Sequence, residues 1–152
     1  MLIAEPGRES EAATRLGRIG FDNVTGYLDG GMQPLADEPW LIDRIERVTA
    51  GALAEQLSSS LPPLLIDVRS PAEWQQRRIQ EAMNAPLSRL DDSLDALPAH
   101  RPIVVHCATG YRSAIAASRM RLHGFQHVAD LVGGLAAWES ARLATVGGAE
   151  HR

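Results

Sequence analysis

Residues 102–123, PIVVHCATGYRSAIAASRMRLH, decide how this chain folds. Ile103-Val104-Val105 is a short apolar, β-branched run of the kind that forms a strand buried on both faces of a parallel sheet. The short loop Ala108-Thr109-Gly110-Tyr111-Arg112 follows, and the alanine-rich stretch from Ser113 to His123, free of glycine and proline, predicts a helix. Strand, tight loop and helix in that order are the building unit of an α/β sheet, in which ligands bind beyond the carboxyl ends of the strands.

The same alternation continues on either side. Upstream, Thr49 is placed to cap a helix through about Leu57, which Ser58-Ser59-Ser60 and Pro62-Pro63 end. Leu64-Leu65-Ile66-Asp67-Val68 reads as a second buried strand. Ser70 then caps a helix with Pro71 at its first position and Glu73 at its third. Ile79 to Asn84 is expected to be a short strand and Ser88 to Leu97 a helix. Downstream, strand Val128 to Val132 and helix Leu135 to Ala141 complete the unit.

With 152 residues, 45% of them apolar, the chain has material for one ordinary domain and is short for two. Its 15 basic and 19 acidic residues leave a net charge of -4, so no basic field invites nucleic acid or an anionic membrane. The start, Met1-Leu2-Ile3-Ala4-Glu5-Pro6, has neither the basic opening nor the apolar run of a secretory signal, and no stretch reaches transmembrane length. A cytoplasmic location is expected. The single cysteine, Cys107, cannot form an intramolecular disulfide.

An internal repeat is visible at an offset of 104 residues: RESEAATRLGRIGFDNVTGYLDGG (8–31) echoes RSAIAASRMRLHGFQHVADLVGG (112–134). Arg8 pairs with Arg112, Ala12-Ala13 with Ala116-Ala117, Arg15 with Arg119, Gly20-Phe21 with Gly124-Phe125 and Val24 with Val128. After a one-residue gap, Gly30-Gly31 pairs with Gly133-Gly134. On this alignment Ile3 stands where the second copy has Cys107. The chain therefore reads as the last third of one unit (1–32), a proline-containing linker (33–44), a complete unit (45–141) and a tail (142–152).

A lone cysteine at a strand end is most often a small buried hydrophobe, but the surroundings of Cys107 argue for chemistry. A tight loop entering a helix directs successive N–H groups and the positive end of the helix dipole toward the sulfur, and both favour thiolate. Arg112 adds a permanent cation, and Gly110 permits the loop to curl. His106 is expected to face away from the thiol, because neighbours in a strand alternate sides. His123 and His127 have helical metal spacing that Gly124 interrupts, so no metal is expected. Arg77, Arg78, Arg112, Arg119 and Arg121 are either an attraction for anionic ligands or an ordinary solvated face. Trp74 and Trp138 read as packing residues.

The segment His106-Cys107-Ala108-Thr109-Gly110-Tyr111-Arg112-Ser113 resembles the active-site loop of rhodaneses. Leu65-Ile66-Asp67-Val68-Arg69 with Glu73 and Trp74 is similar to the family's first motif, Ile79 to Pro86 to its second, and Val132-Gly133-Gly134-Leu135 with Trp138 to its closing segment. The resemblance spans residues 45 to 141 and implies the rhodanese-like α/β fold, with a central, mostly parallel five-stranded sheet and helices on both faces. It implies a sulfurtransferase that carries sulfur as a persulfide on Cys107, with Arg112 as second catalytic residue and Ala108, Thr109, Gly110, Tyr111 and Ser113 binding the substrate. Asp67, Arg69 and Glu73 are structural supports on this reading, with an Arg69–Glu73 contact one helical turn long. No cofactor is implied. The partners are a small-molecule sulfur donor such as thiosulfate and a thiol or cyanide acceptor.

Where the family's second motif usually reads Gly-His-Ile-x-Gly-Ala, this chain has Arg77-Arg78-Ile79-Gln80-Glu81-Ala82, and an altered turn is expected at Glu81. A partial, cysteine-less copy ahead of an active one resembles tandem rhodaneses, including the tails of proteins with an N-terminal metallo-β-lactamase-like domain. Two rival functions follow from the loop. A cysteine-dependent phosphatase would need five residues between cysteine and arginine, whereas this chain has four. A non-catalytic rhodanese-like binding module would usually lack the cysteine. In the first copy Ala13, Leu16, Ile19, Phe21, Val24 and Leu28 form an apolar surface, expected to be covered by the complete unit or exchanged between two chains in a homodimer.

Overall fold

The computed structural model describes residues 1–147 apart from Ile19 and Phe21, and the chain divides into two compact units, Met1–Arg44 and Ile45–Arg152. Two residues of the expected N-terminal apolar surface, Ile19 and Phe21, and the tail beyond Gly147 lie outside the described residues.

In the first unit, helix α1 (Glu9–Gly17) carries Glu9 and Glu11 in its first turn and Arg15 in its last, complementing the helix dipole. Leu2 pairs with Tyr27 in a parallel bridge, its N–H donating to Gly26 O at 2.8 Å while its carbonyl accepts from Leu28 N at 2.9 Å. The segment read as a linker holds two single 3₁₀ turns, Gln33–Leu35 and Pro39–Leu41.

The second unit runs β1 (Glu46–Val48), α2 (Ala50–Leu57), β2 (Leu64–Asp67), α3 (Pro71–Gln76), β3 (Met83–Asn84), α4 (Asp91–Leu94), β4 (Ile103–His106), α5 (Tyr111–Leu122), β5 (Val128–Leu131) and α6 (Gly134–Ser140). The strands form one five-stranded sheet in the order β1-β5-β4-β2-β3, and every pairing is parallel. All four residues of β4 are buried, which explains the apolar run Ile103-Val104-Val105. Alternation divides the core in two. Ile66, Ile103, Val105 and Val128 face Ala116, Ala117 and Met120 of α5, whereas Leu65, Val104 and Leu131 face Leu53 of α2 and Leu135 and Trp138 of α6.

The caps expected from sequence are present: the Thr49 side chain accepts from Ala52 N, and Ser70 and Glu73 form a reciprocal capping box on α3. Three elements differ from expectation. Of the strand expected over 79–84 only Met83–Asn84 pairs, while Ile79 is buried in the core beside a turn closed by Ala82 N to Ile79 O at 3.0 Å. The helix expected over 88–97 is a 3₁₀ turn, Leu87–Arg89, followed by the four-residue α4. Helix α5 starts at Tyr111, two residues before the expected Ser113. β1 is an additional strand that no apolar run announced. At Glu81 the altered turn needs no left-handed backbone, since Arg142 is the one non-glycine residue with positive φ among the described residues. Among those residues no helix is long and apolar enough to cross a membrane.

Candidate active site

The chain leaves β2 toward β3 on one side and β4 toward β5 on the other, so the crevice between the carboxyl ends of β2 and β4 is the sheet's topological switch point. Cys107 is the first residue past β4, and Val68-Arg69-Ser70 follows β2 beside it. A cavity of about 550 Å³ lies at the other end of the strands, lined by Glu46, Pro102, Ile103 and His127, away from Cys107. A cleft of about 460 Å³ opens next to Arg112 instead, with Val68, Pro71, Leu87 and Arg119 among its walls.

The Cys107 loop is shaped by glycines on two segments. Gly110 takes φ 104, turning its N–H onto the sulfur at 3.1 Å. Gly134 is required for a different reason: a Cβ there would lie 2.4 Å from the Cys107 carbonyl oxygen and 2.9 Å from that of Ala108. With no side chain in the way, Leu135 N donates to Cys107 O at 2.8 Å and Ala136 N to Ala108 O at 3.0 Å. The first turn of α6 thus draws the loop's carbonyls outward, which leaves its amides facing the sulfur.

Cys107 is buried at the head of the α5-facing core. Burial pushes its pKa up. The Ser113 hydroxyl, whose Oγ lies 3.5 Å from Sγ, and the N–H groups of Ser113, Gly110 and Thr109 outweigh that, and the thiol ionises below its ordinary value. Of the residues expected to bind substrate, Thr109, Gly110 and Ser113 therefore surround the sulfur. Ala108 anchors the loop through its carbonyl. Tyr111 opens α5 with its side chain largely in solvent.

Arg112 does not stand free beside the thiol. Its Nη1 and Nη2 donate to Glu73 Oε2 and Oε1 at 2.9 and 2.8 Å, a fork that ties α5 to α3. Arg112 and the Ser70 cap hold the Glu73 carboxyl down at about 2 against the opposing effect of burial. Arg69 and Glu73, expected to pair with each other, have separate partners. The capping box folds the Glu73 carboxylate back over Ser70, where Arg112 meets it, while buried Arg69 turns to Asp67 at 2.6 Å and donates to Arg77 O at 2.6 Å. Asp67 and Arg69 form a supporting pair below the loop, joined to β3 by Asn84 Nδ2, which donates to the carbonyls of Asp67 and Arg69 at 3.0 and 2.9 Å.

His106 is fully buried, with Nδ1 3.3 Å from Cys107 O and Nε2 3.7 Å from Asp67 Oδ2. Burial lowers its pKa and keeps it neutral, the Asp67 charge opposing, and it shares the sheet face of Asp67 rather than that of the sulfur. The Arg78 guanidinium lies 4.2 Å from the Trp74 ring centroid, and Trp74 Nε1 donates to Ala82 O at 2.9 Å, so Trp74 braces the altered turn. His123 pairs with Asp95 at 3.0 Å. Among the described residues no group of three His, Cys, Asp or Glu could hold a metal ion. Sequence reasoning passed over two contributors: the α6 amides behind the loop and Asp130, a buried carboxyl on β5. The signal for Asp130 was a lone charge inside the apolar run Val128-Ala129-Asp130-Leu131-Val132.

Comparison with known proteins places this arrangement. The model of the rhodanese-like domain matches residues 49–141. A sulfurtransferase of Allochromatium vinosum is 30% identical over 94 residues, covering 62% of this chain and 88% of that protein. The probable adenylyltransferase/sulfurtransferase MoeZ of Mycobacterium tuberculosis is 35% identical over 106 residues, covering 68% of this chain but 27% of that longer protein. Among solved structures, the rhodanese-like domain of an Anabaena protein superimposes with a TM-score of 0.65 at 32% identity, over 72% of this chain and 84% of that domain. A rhodanese-related protein from Thermoplasma volcanium gives 0.61 at 28% identity, over 66% and 97%.

Proposed function

Since this chain belongs to the rhodanese-like domain family, we propose that it is a sulfurtransferase with Cys107 as its sulfur carrier. The observation that carries the reading is the set of donors on one sulfur: Gly110 N at 3.1 Å and Ser113 Oγ at 3.5 Å, in a loop whose carbonyls are held outward. Such donors stabilise a thiolate, and they equally suit the anionic outer sulfur of a persulfide. In the first half-reaction the thiolate attacks the outer sulfur of thiosulfate. The new S–S bond forms as the old one breaks, and sulfite departs with the electron pair. In the second, a thiolate or cyanide attacks the persulfide's outer sulfur, and Cys107 leaves as thiolate.

Sulfurtransferase relatives support the general activity, and thiosulfate as donor is the specific part of the proposal. Arg112, committed to Glu73, acts by holding the loop against α3, while its cleft offers an anionic donor a route. A thiol held ready for this chemistry belongs in a reducing compartment, which for this chain we take to be the cytoplasm. The partners on this reading are the donor and the acceptor, with neither nucleic acid nor membrane. For the first unit the partner is a second copy of the chain, a homodimer that light scattering would reveal. Mass spectrometry after thiosulfate treatment tests the function: one added sulfur on Cys107, removed by cyanide and absent from Cys107→Ser. No adduct and no turnover would instead identify a binding module.

A further inference from the structure

Asp130 is a carboxyl in an apolar place. It is 4% exposed, and its Oδ1 has no hydrogen-bond partner among the described residues. A buried polar atom left in this way is costly, so its retention asks for a role. In register Asp130 pairs with Val105 on β4 and Arg47 on β1, so its side chain projects to the α5 face of the sheet, the face of Val128, Val105 and Cys107. Ser113, fully buried in the first turn of α5, has its Oγ 3.5 Å from Sγ, and its hydroxyl is also the group that most strongly draws the Asp130 carboxyl back down.

A hydroxyl has one proton to donate. If Asp130 is ionised, Ser113 turns its proton to the carboxylate and the sulfur loses a donor. If Asp130 is protonated, the carboxyl donates to Ser113 Oγ and the hydroxyl proton is directed to Sγ. Loss of the thiol proton can follow the same line: S–H gives its proton to Oγ as the hydroxyl proton passes to Asp130, leaving thiolate and neutral acid with no change in total charge. We infer that Asp130 is a positioning residue that acts through the Ser113 hydroxyl to set whether Cys107 is presented as thiolate or thiol. Burial raises the Asp130 carboxyl above its ordinary value, with Ser113 and then Arg47 drawing it back. Of the other titratable groups nearby, His106 and Asp67 lie on the opposite face of the sheet, and Arg112 is paired with Glu73.

The inference rests on the proposed sulfur transfer only for the use made of the thiolate. Its test is the pH dependence of Cys107 alkylation by iodoacetamide in the wild type, Asp130→Asn, Ser113→Ala and the double variant, each with its thermal melt. A two-step profile is expected for the wild type, because two sites share one proton. Asp130→Asn, which donates permanently to Ser113, gives a single step shifted about one unit lower, or about tenfold faster alkylation on its acid side. Ser113→Ala gives a single step shifted upward, and adding Asp130→Asn to it changes the rate less than about twofold. Superimposable wild-type and Asp130→Asn profiles would overturn the inference, as would an equal Asp130→Asn shift with and without Ser113. Should Asp130→Asn not fold, Ser113→Ala decides: a persisting two-step profile counts against the relay. Thiosulfate labelling of the wild type is scored separately. A missing adduct with the expected profiles defeats sulfur transfer alone, and an adduct with unaltered profiles defeats the relay alone.

Discussion

The two units of this chain carry the same backbone devices around opposite chemistries. Gly30 and Gly31 take φ 77 and 63, and their counterparts Gly133 and Gly134 take 72 and 57. A Cβ on Gly31 would fall 2.5 Å from Ala4 O, as one on Gly134 would fall 2.4 Å from Cys107 O. Gly20 and Gly124 both lie at positive φ after their helices, and the Leu2–Tyr27 bridge matches the parallel β4–β5 ladder. What differs is the donor set. At the offset of 104 residues Ile3 replaces Cys107, Pro6 replaces Gly110 and Glu9 replaces Ser113. The thiol, an N–H that a proline cannot supply and the hydroxyl are all gone together. The strand–loop–helix frame and the sulfur site are therefore separable: glycines with positive φ keep the frame, and a handful of donors favours ionisation of a thiol placed in it.

Exchanging the nucleophile breaks the comparison most completely. Cys107→Ser is expected to cut sulfur transfer by about a thousandfold or more, read as loss of turnover and of the thiosulfate adduct. Ile3→Cys in the Cys107→Ser background should restore neither, since Pro6 and Glu9 leave the new sulfur without those donors. A persulfide at the Ile3→Cys position of that variant would show that the frame alone suffices.

The next largest effect concerns the pair below the Cys107 loop. Asp67→Ala leaves the Arg69 guanidinium buried without its counter-charge at 2.6 Å. The cost is on the order of 3–5 kcal/mol, a fall of about 15 °C or more in the melting of a domain this size, measured by calorimetry. The glycines come third. Gly134→Ala combines positive φ with a collision against backbone, which costs about 2–3 kcal/mol and lowers turnover with it. Gly31→Ala meets a similar collision but leaves thiosulfate turnover at the wild-type level. Equal losses of turnover from both would contradict the separation of frame and site.

The features that sequence reading caught and those it missed divide along physical lines. β2 and β4 were legible because strands buried on both faces must be apolar throughout, and Ser70, Pro71 and Glu73 were legible because capping is local. The loop was legible for the same reason: Cys107, Gly110 and Ser113 fall within seven residues. β1 was not, because an edge strand of three residues, Glu46-Arg47-Val48, needs only β5 as a template. The segment over 79–84 misled because Ile79 is buried from a turn, and burial leaves the same apolar mark in a turn as in a strand. The partner of Glu73 was hidden by distance along the chain. Arg69 is four residues away and Arg112 is 39, and only the fold brings the second within reach.

That long-range pair supports the smallest and most specific contrast between the units. Among the described residues Arg8, the counterpart of Arg112, pairs along its own segment, with Glu5 and Glu11, on side chains open to water. Arg112 joins α5 to α3. Glu73 titrates at about 2 in the folded chain against an ordinary 4.5. A depressed carboxyl stabilises the fold above its unfolded value, and the contribution fades as pH falls from about 4.5 toward about 2. Taken at face value the shift is worth ~3 kcal/mol, but the carboxylate is 37% exposed and screening by solvent reduces this. About 1 kcal/mol is expected. Glu73→Gln should thus lower the melting temperature at neutral pH by about 4–8 °C, and the gap from wild type should close as both are melted at progressively lower pH. Glu11→Gln should leave the melt unchanged at every pH. If the Glu73→Gln gap held constant down to pH 2, the contribution would come from packing rather than charge, and Arg112 would be no better tethered than Arg8.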